Sequence, residues 1–235
     1  MHYLFLDESY PPNKGHKTII MAGWAVAQWG FSRFAGCFSE LYRPPVLEAI
    51  NTMLNSLDAQ AVVARATLDP ASFRSGEIDG TDDIPAMARP DNIWSQCTIF
   101  LPGALIKLLL RRKQEVGTID IHFDPKSLKG KHTEALERTL RTLLVSEAKR
   151  YASERDSRLL KKLRIRRFQP VTKPIGGQEP DKFQMGTWVA HKLCSSFDGI
   201  RKARHLSRIR VLDISDVVTR TVQQFDGKSF YEKPN

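Results

Sequence analysis

Two hydrophobic periods alternate along this chain and divide it into elements. His2–Glu8 (HYLFLDE) is a short apolar run ending in two acids, which predicts a buried strand. Ser9–Gly15 carries two prolines, Asn and Gly, the chemistry of a turn. Lys17–Ala27 (KTIIMAGWAVA) is rich in strand formers and predicts a hairpin partner for the first strand. Ser32–Tyr42 and Val46–Leu57 read as helices; in the second, Val46, Leu47, Ile50, Met53, Leu54 and Leu57 recur at helical spacing. Ala61–Thr67 is a third strand. Asp69–Pro90 is polar, acidic and interrupted by Gly and Pro, the composition of a surface loop, and such loops also serve as lids.

Asp91–Gln114 has a helical pattern that carries Pro102 and Gly103, where a kink or break is expected. Thr118–Asp124 (TIDIHFD) alternates strictly and predicts a strand. Leu128–Glu154 predicts a long amphipathic helix, Leu160–Pro170 a strand, Thr172–Pro180 a loop and Asp181–Phe197 a helix. A basic segment, Arg208–Asp213 and a tail complete the chain. The order is strand, strand, helical insert, strand, helix, strand, helix, strand, helix. It predicts an α/β fold of ribonuclease H-like connectivity: a mixed sheet with antiparallel hairpin strands and parallel strands, flanked by helices. The domain would span 1–197, with a helical insert near 32–57 and the acidic loop at 69–90. Residues 198–235 would form a basic C-terminal extension.

Composition adds charge to this picture. The 235 residues hold 36 Lys and Arg against 26 Asp and Glu, a net charge of +10. Residues 1–100 carry 7 basic and 11 acidic side chains, whereas 101–235 carry 29 and 15. The second part would attract a polyanion, of which nucleic acid is the commonest in a cytoplasm; a solvated basic surface is the plainer reading. Cys37, Cys97 and Cys194 lie far apart with no CxxC pair, which argues against a zinc ribbon or disulfide scaffold and fits a reducing, cytoplasmic setting. No uncharged stretch reaches membrane-spanning length, so no membrane association is expected. The strand-like start shows no signal-peptide pattern. P-loop, dinucleotide, nucleophile-elbow and zincin motifs are missing from the sequence, which leaves kinase, dehydrogenase and serine-hydrolase readings without support.

The strand ends carry the candidate chemistry. Asp7 closes the first strand and Asp124 the strand before the long helix. If these strands are parallel neighbours, both carboxylates emerge at one sheet edge, where open α/β sheets bind ligands. Hard oxygen ligands there suit Mg²⁺ or Mn²⁺, and two such ions about 4 Å apart support in-line phosphodiester displacement. Asp120, His122 and Asp124 share one strand face, but Asp120 and Asp124 lie roughly 13 Å apart and cannot hold one ion together. Glu8 points to the face opposite Asp7, in a structural or supporting place.

Three segments, YLFLDES at 3–9, IDIHFDPKS at 119–127 and FQMGTWVAHKL at 183–193, resemble the bacterial family called domain of unknown function 3800. Its members open with a strand ending in D-E-S, carry a later strand ending in Asp, and close with a helix bearing Q-x-A-D. The resemblance covers about residues 3 to 195. It implies a ribonuclease H-like, metal-dependent nuclease with Mg or Mn, acting on DNA or RNA, found near mobile elements or defence genes. Carried over by position, it implies catalytic and metal-ligating roles for Asp7 and Asp124 and matches the family's Gln with Gln184. The family's helix Asp falls on Thr187, a departure that opens the alternative of a degenerate site that binds nucleic acid without cutting. On a helix Asp181, Gln184, Thr187, Trp188 and His191 share a broad face. His191 is open to two readings, a substitute ligand or a plain polar residue. A fourth acid is sought at Asp91, which an N-cap after Pro90 explains equally well.

Lys126, Lys129 and Lys131 follow Asp124 and would border its edge. Arg164 and Arg166 mark the last strand, where they would contact substrate or simply guard a sheet edge from aggregation. Arg201 and Arg204 belong to a third basic cluster after the last helix. The four tryptophans read as packing residues before stacking platforms. Nucleic acid is thus the expected partner. A protein partner or a second copy of the chain is the other possibility, in the setting of a defence or toxin–antitoxin operon.

Overall fold

A computed structural model describes residues 1–9, 17–42, 45–68, 90–124, 138, 141–142, 163–172, 178–203 and 205–216. Its elements are β1 (His2–Ser9), β2 (Lys17–Ala27), α1 (Gln28–Phe38) with a 3₁₀ turn at Ser39–Tyr42, α2 (Val46–Ser56), β3 (Gln60–Leu68), α3 (Pro90–Arg111), β4 (Thr118–Phe123), β5 (Arg164–Pro170), α4 (Lys182–Ser195), α5 (Phe197–Lys202) and β6 (Ile209–Asp213). The expected acidic loop at 69–89 and nearly all of the helix expected at 128–154 lie outside the described residues. Only 138 and 141–142 of that helix are described, and they are helical.

The six strands form one sheet in the order β5-β4-β1-β2-β3-β6. β1, β2 and β3 pair antiparallel in sequence, while β1 with β4, β4 with β5, and β3 with β6 pair parallel. The first five strands have the ribonuclease H-like arrangement expected from the element order. The segment expected as an extension from 198 contributes α5 and the edge strand β6 to the same sheet.

Side-chain alternation along β1 sends Leu4 and Leu6 to one face and Phe5 and Asp7 to the other. The first face packs against α3 through Leu101, Leu105, Ile106 and Leu109. This helix begins at Pro90, a residue suited to a first helical position because its missing N–H needs no partner there. Asp91 is therefore inside the first turn, not at the cap. The helix is continuous through Pro102, so there is no break at that position. The second face is covered by α1, α2 and α4 around Trp24, Phe34, Leu54 and Val189. α1 starts four residues earlier than its pattern suggested, because Gly30 belongs to the helix: a Cβ there would sit 2.8 Å from the Leu57 carbonyl oxygen.

α4 lies directly on β1. Gly186 makes this possible, since a Cβ at that position would overlap the Phe5 ring. The indole N–H of Trp24 donates to the Gly186 carbonyl at 2.8 Å and fixes the helix to β2 as well. The helix starts with a reciprocal cap: the Asp181 carboxylate accepts from the backbone N–H groups of Phe183 and Gln184, and the Gln184 side chain accepts from the Asp181 N–H. Gly186→Ala should push α4 off the sheet and lower stability by about 1–3 kcal/mol, the usual cost of overpacking a filled core. Urea denaturation measures this, and an unchanged midpoint would contradict the packing described.

Candidate functional site

Parallel pairing of β1 with β4 sets Leu6 opposite Phe123, so Asp7 and Asp124 are the next residues along the two strands. The Asp124 N–H donates to the Leu6 carbonyl at 3.4 Å, and the Val171 N–H to the Phe123 carbonyl at 2.8 Å. The carboxyl ends of β1, β4 and β5 thus form one edge. Beyond it lies a cleft of about 460 Å³, lined by Asp7, Asp124, Val171, Thr172, Pro180, Phe38 and the α4 residues Gln184, Thr187, Trp188, His191 and Lys192. These α4 positions follow i, i+3, i+4, i+7 and i+8, a single helical stripe.

Asp7 is held from both sides. Its Oδ1 accepts the Glu8 backbone N–H at 2.8 Å, and its Oδ2 lies 2.9 Å from His191 Nδ1. The Asp7 side chain is 1% exposed and that of His191 47%, so the imidazole stands between a buried carboxylate and solvent. The Cys194 thiol donates to the Asp7 carbonyl at 3.2 Å. Gln184 ties the α4 start to the β5 exit by donating from Nε2 to the Thr172 carbonyl at 2.9 Å. The Thr187 hydroxyl donates within its own helix, 3.0 Å from the Gln184 carbonyl and 3.3 Å from that of Phe183.

Of the residues singled out from sequence, Asp7, Asp124, Gln184, Thr187 and His191 meet in this cleft. Glu8 is buried and, by alternation, faces the α3 side. Asp91 sits on α3, which packs on that same far face. Arg166 is engaged elsewhere: its Nε donates to Asp120 Oδ1 at 2.8 Å and its terminal nitrogen to Oδ2, pairing with a carboxylate that is itself buried. That contact holds the Arg166 charge firmly and raises its pKa. Arg164 Nε donates to Thr118 Oγ1 at 3.2 Å on the β5 edge, and Arg201 lies 4.0 Å from Asp198 on α5. Lys126, Lys129, Lys131 and Arg204 lie outside the described residues. Sequence reasoning placed Trp188 on the helix face of Gln184 and His191 but missed Lys192, for which the same helical stripe was the signal. The Lys192 ammonium lies 5.3 Å from the Trp188 ring centroid, a cation over an aromatic face.

His122 shares the face of Asp124 but joins the core. It packs 4.4 Å from the Phe183 ring and 5.5 Å from that of Phe5. Burial pushes its pKa down to about 4, since this apolar setting disfavours the imidazolium.

The resemblance implies Mg or Mn at this edge, and the donor set among the described residues does not fit a two-ion carboxylate centre. Asp7 is bonded to an imidazole, Thr187 stands at the helix position of the family's acid with its hydroxyl turned to helix carbonyls, and Asp124 is the other carboxylate of the cleft. Among the described residues, no group of three or more His, Cys, Asp or Glu is placed to hold a metal ion.

The chain bears a distant likeness to several solved structures. One is to the ribonuclease H2 of Pyrococcus horikoshii OT3, at 10% identity and a TM-score of 0.40 over 97% of this chain and 78% of that one. Another is to ribonuclease HII of Archaeoglobus fulgidus, from its complex with PCNA, at 13% identity and 0.37 over 96% and 88%. No protein-family model and no curated protein matches the chain. The ribonuclease H-like architecture lies in the strand order and pairing themselves. Among the described residues, no helix is long and apolar enough to cross a membrane.

The depressed His122 pKa has a definite sign. Between about pH 6.5 and 4 the unfolded chain binds a proton at this residue that the folded chain refuses. Stability contributed by the neutral ring is therefore present above 6.5 and lost as pH falls toward 4, by up to about 3 kcal/mol. His122→Phe should flatten this part of the pH–stability curve, measured by urea unfolding at pH 7, 5.5 and 4.5. A variant curve parallel to that of the unaltered chain would contradict the assignment.

Proposed function

We propose that this chain is a nucleic-acid-binding protein of ribonuclease H-like fold, gripping a phosphodiester backbone in the cleft without two-metal hydrolysis. The observation that carries this reading is Thr187, whose hydroxyl is bonded to the carbonyls of Phe183 and Gln184 while the adjacent Asp7 is bonded to His191. The affinity for a polyanion comes from the basic balance of residues 101–235 and, at the cleft, from Lys192. The domain of unknown function 3800 resemblance and its setting in bacterial defence or mobile elements belong to this proposal.

A second reading keeps catalysis: Asp7 and Asp124 line the same cleft, so a metal-dependent nuclease with Mg or Mn uses these two carboxylates. One experiment separates the two. Labelled single-stranded RNA and DNA are titrated with the protein by fluorescence anisotropy between 50 and 200 mM salt, with Mg²⁺ or Mn²⁺ added in a parallel cleavage assay. The binding reading expects affinity that falls steeply with salt, with a slope of about −0.7 per phosphate neutralised on a single strand. Lys192→Ala should weaken binding and reduce that slope by about one. Arg166→Ala should lower thermal stability and leave affinity nearly unchanged, because its charge serves Asp120. Salt-insensitive or absent binding defeats the proposal. Metal-dependent cleavage that disappears in Asp7→Ala and Asp124→Ala replaces it with the nuclease reading.

A further inference from the structure

Asp7 and His191 form an arrangement whose chemistry does not require a metal. A carboxylate only accepts, so the 2.9 Å contact places the proton on His191 Nδ1. In a neutral imidazole the lone pair then sits on Nε2, across the ring from Asp7. Among the described residues, the bond to Asp7 is the one hydrogen bond the His191 side chain makes. The carboxylate is 1% exposed and doubly held, which fixes its position; the imidazole is 47% exposed and lines the cleft. A buried carboxylate that sets the tautomer and direction of a solvent-facing imidazole is the base half of a nucleophilic catalytic site.

Among the described residues lining the cleft, no side chain supplies the nucleophile half. The Thr187 hydroxyl is turned to helix carbonyls and the Cys194 thiol is buried on the Asp7 carbonyl. The attacking group is then water or one that arrives with the substrate. In RNA each phosphodiester has a 2′-hydroxyl beside it; DNA has none. Lys192, next to His191 in the chain and in the same cleft, offers a cation to the phosphate oxygens.

We propose that His191 is a metal-independent general base for RNA strand cleavage, with Asp7 as its positioning residue. Nε2 takes the 2′-hydroxyl proton, the 2′-oxygen attacks phosphorus, and the bond from phosphorus to the 5′-oxygen breaks. That oxygen takes a proton from water, and His191 returns its own to solvent. The products are a 2′,3′-cyclic phosphate and a 5′-hydroxyl, with no oxidant, reductant or metal consumed. This inference rests on the nucleic-acid reading of the cleft.

The test incubates the full chain with end-labelled single-stranded RNA in excess EDTA, beside DNA and 2′-O-methyl RNA of the same sequence. Cyclic-phosphate ends from RNA alone are expected. His191→Ala and His191→Gln should cut at least about 100-fold more slowly at saturating RNA, the usual contribution of a general base. Asp7→Asn keeps the side-chain shape but no longer enforces the tautomer, and should lose cleavage at saturating RNA; Asp7→Glu should restore part of it. RNA that is bound but uncut overturns this inference and leaves the binding proposal standing. Cleavage that needs added Mg²⁺ or Mn²⁺, or that survives in both His191 variants, also overturns it. Absence of RNA binding removes the binding proposal and this inference with it.

Discussion

The close approach of α4 to β1, with Gly186 over the Phe5 ring, determines what the cleft can contain. Five residues of helix rise about 7.5 Å and two residues of strand about 6.6 Å. Contact between residues 186 and 5 therefore brings residue 191 level with residue 7, which is where the imidazole and carboxylate meet. A larger residue at 186 would lift the whole stripe from Gln184 to Lys192 away from the strand ends. The Trp24 indole and the Cys194 thiol hold the same helix at two further points, one on each side of His191 along α4. Packing in the core thus sets distances in the cleft.

Electrostatics in the sheet follow from the same geometry. Asp120, His122 and Asp124 occupy successive positions on one face of β4 and meet three different environments. Asp120 is buried at the β5 side and pairs with Arg166, the residue passed over where the register between β4 and β5 shifts. His122 is buried among rings and stays neutral across the ordinary pH range. Asp124 stands past the last strand pair, at the cleft. A charge on β5 that sequence offered to a phosphate serves a buried carboxylate, because leaving that carboxylate unpaired in the sheet is costly.

Where side-chain period and burial coincide, the chain is legible. β2 runs from Lys17 to Ala27 as its pattern indicates, and β3 differs by one residue at each end. The mixed sheet and the shared edge of Asp7 and Asp124 follow from element order, because a hairpin followed by crossovers admits few layouts. Boundaries shift where one residue answers to a distant neighbour. Gly30 lies before the pattern that marks a helix from Ser32, yet the helix includes it where the Leu57 carbonyl leaves no room for a Cβ; Pro102 looks like a break but lies inside a continuous helix. β6 was illegible as part of the sheet, since four of its five residues are exposed and only Ile209 is buried. The bond between Asp7 and His191 was beyond reach because it joins residues 184 positions apart through a helix-on-strand contact that no local pattern encodes.

That separation has a consequence for the chain as it is made. Translation proceeds at roughly 5–20 residues per second, so on the order of 10–40 s pass between the synthesis of Asp7 and that of His191. During that interval the apolar side chains of β1 have β2 and β3 for company but no α4, and the Phe5 ring that will lie under Gly186 is uncovered. The cleft is therefore completed only after α4 has been made.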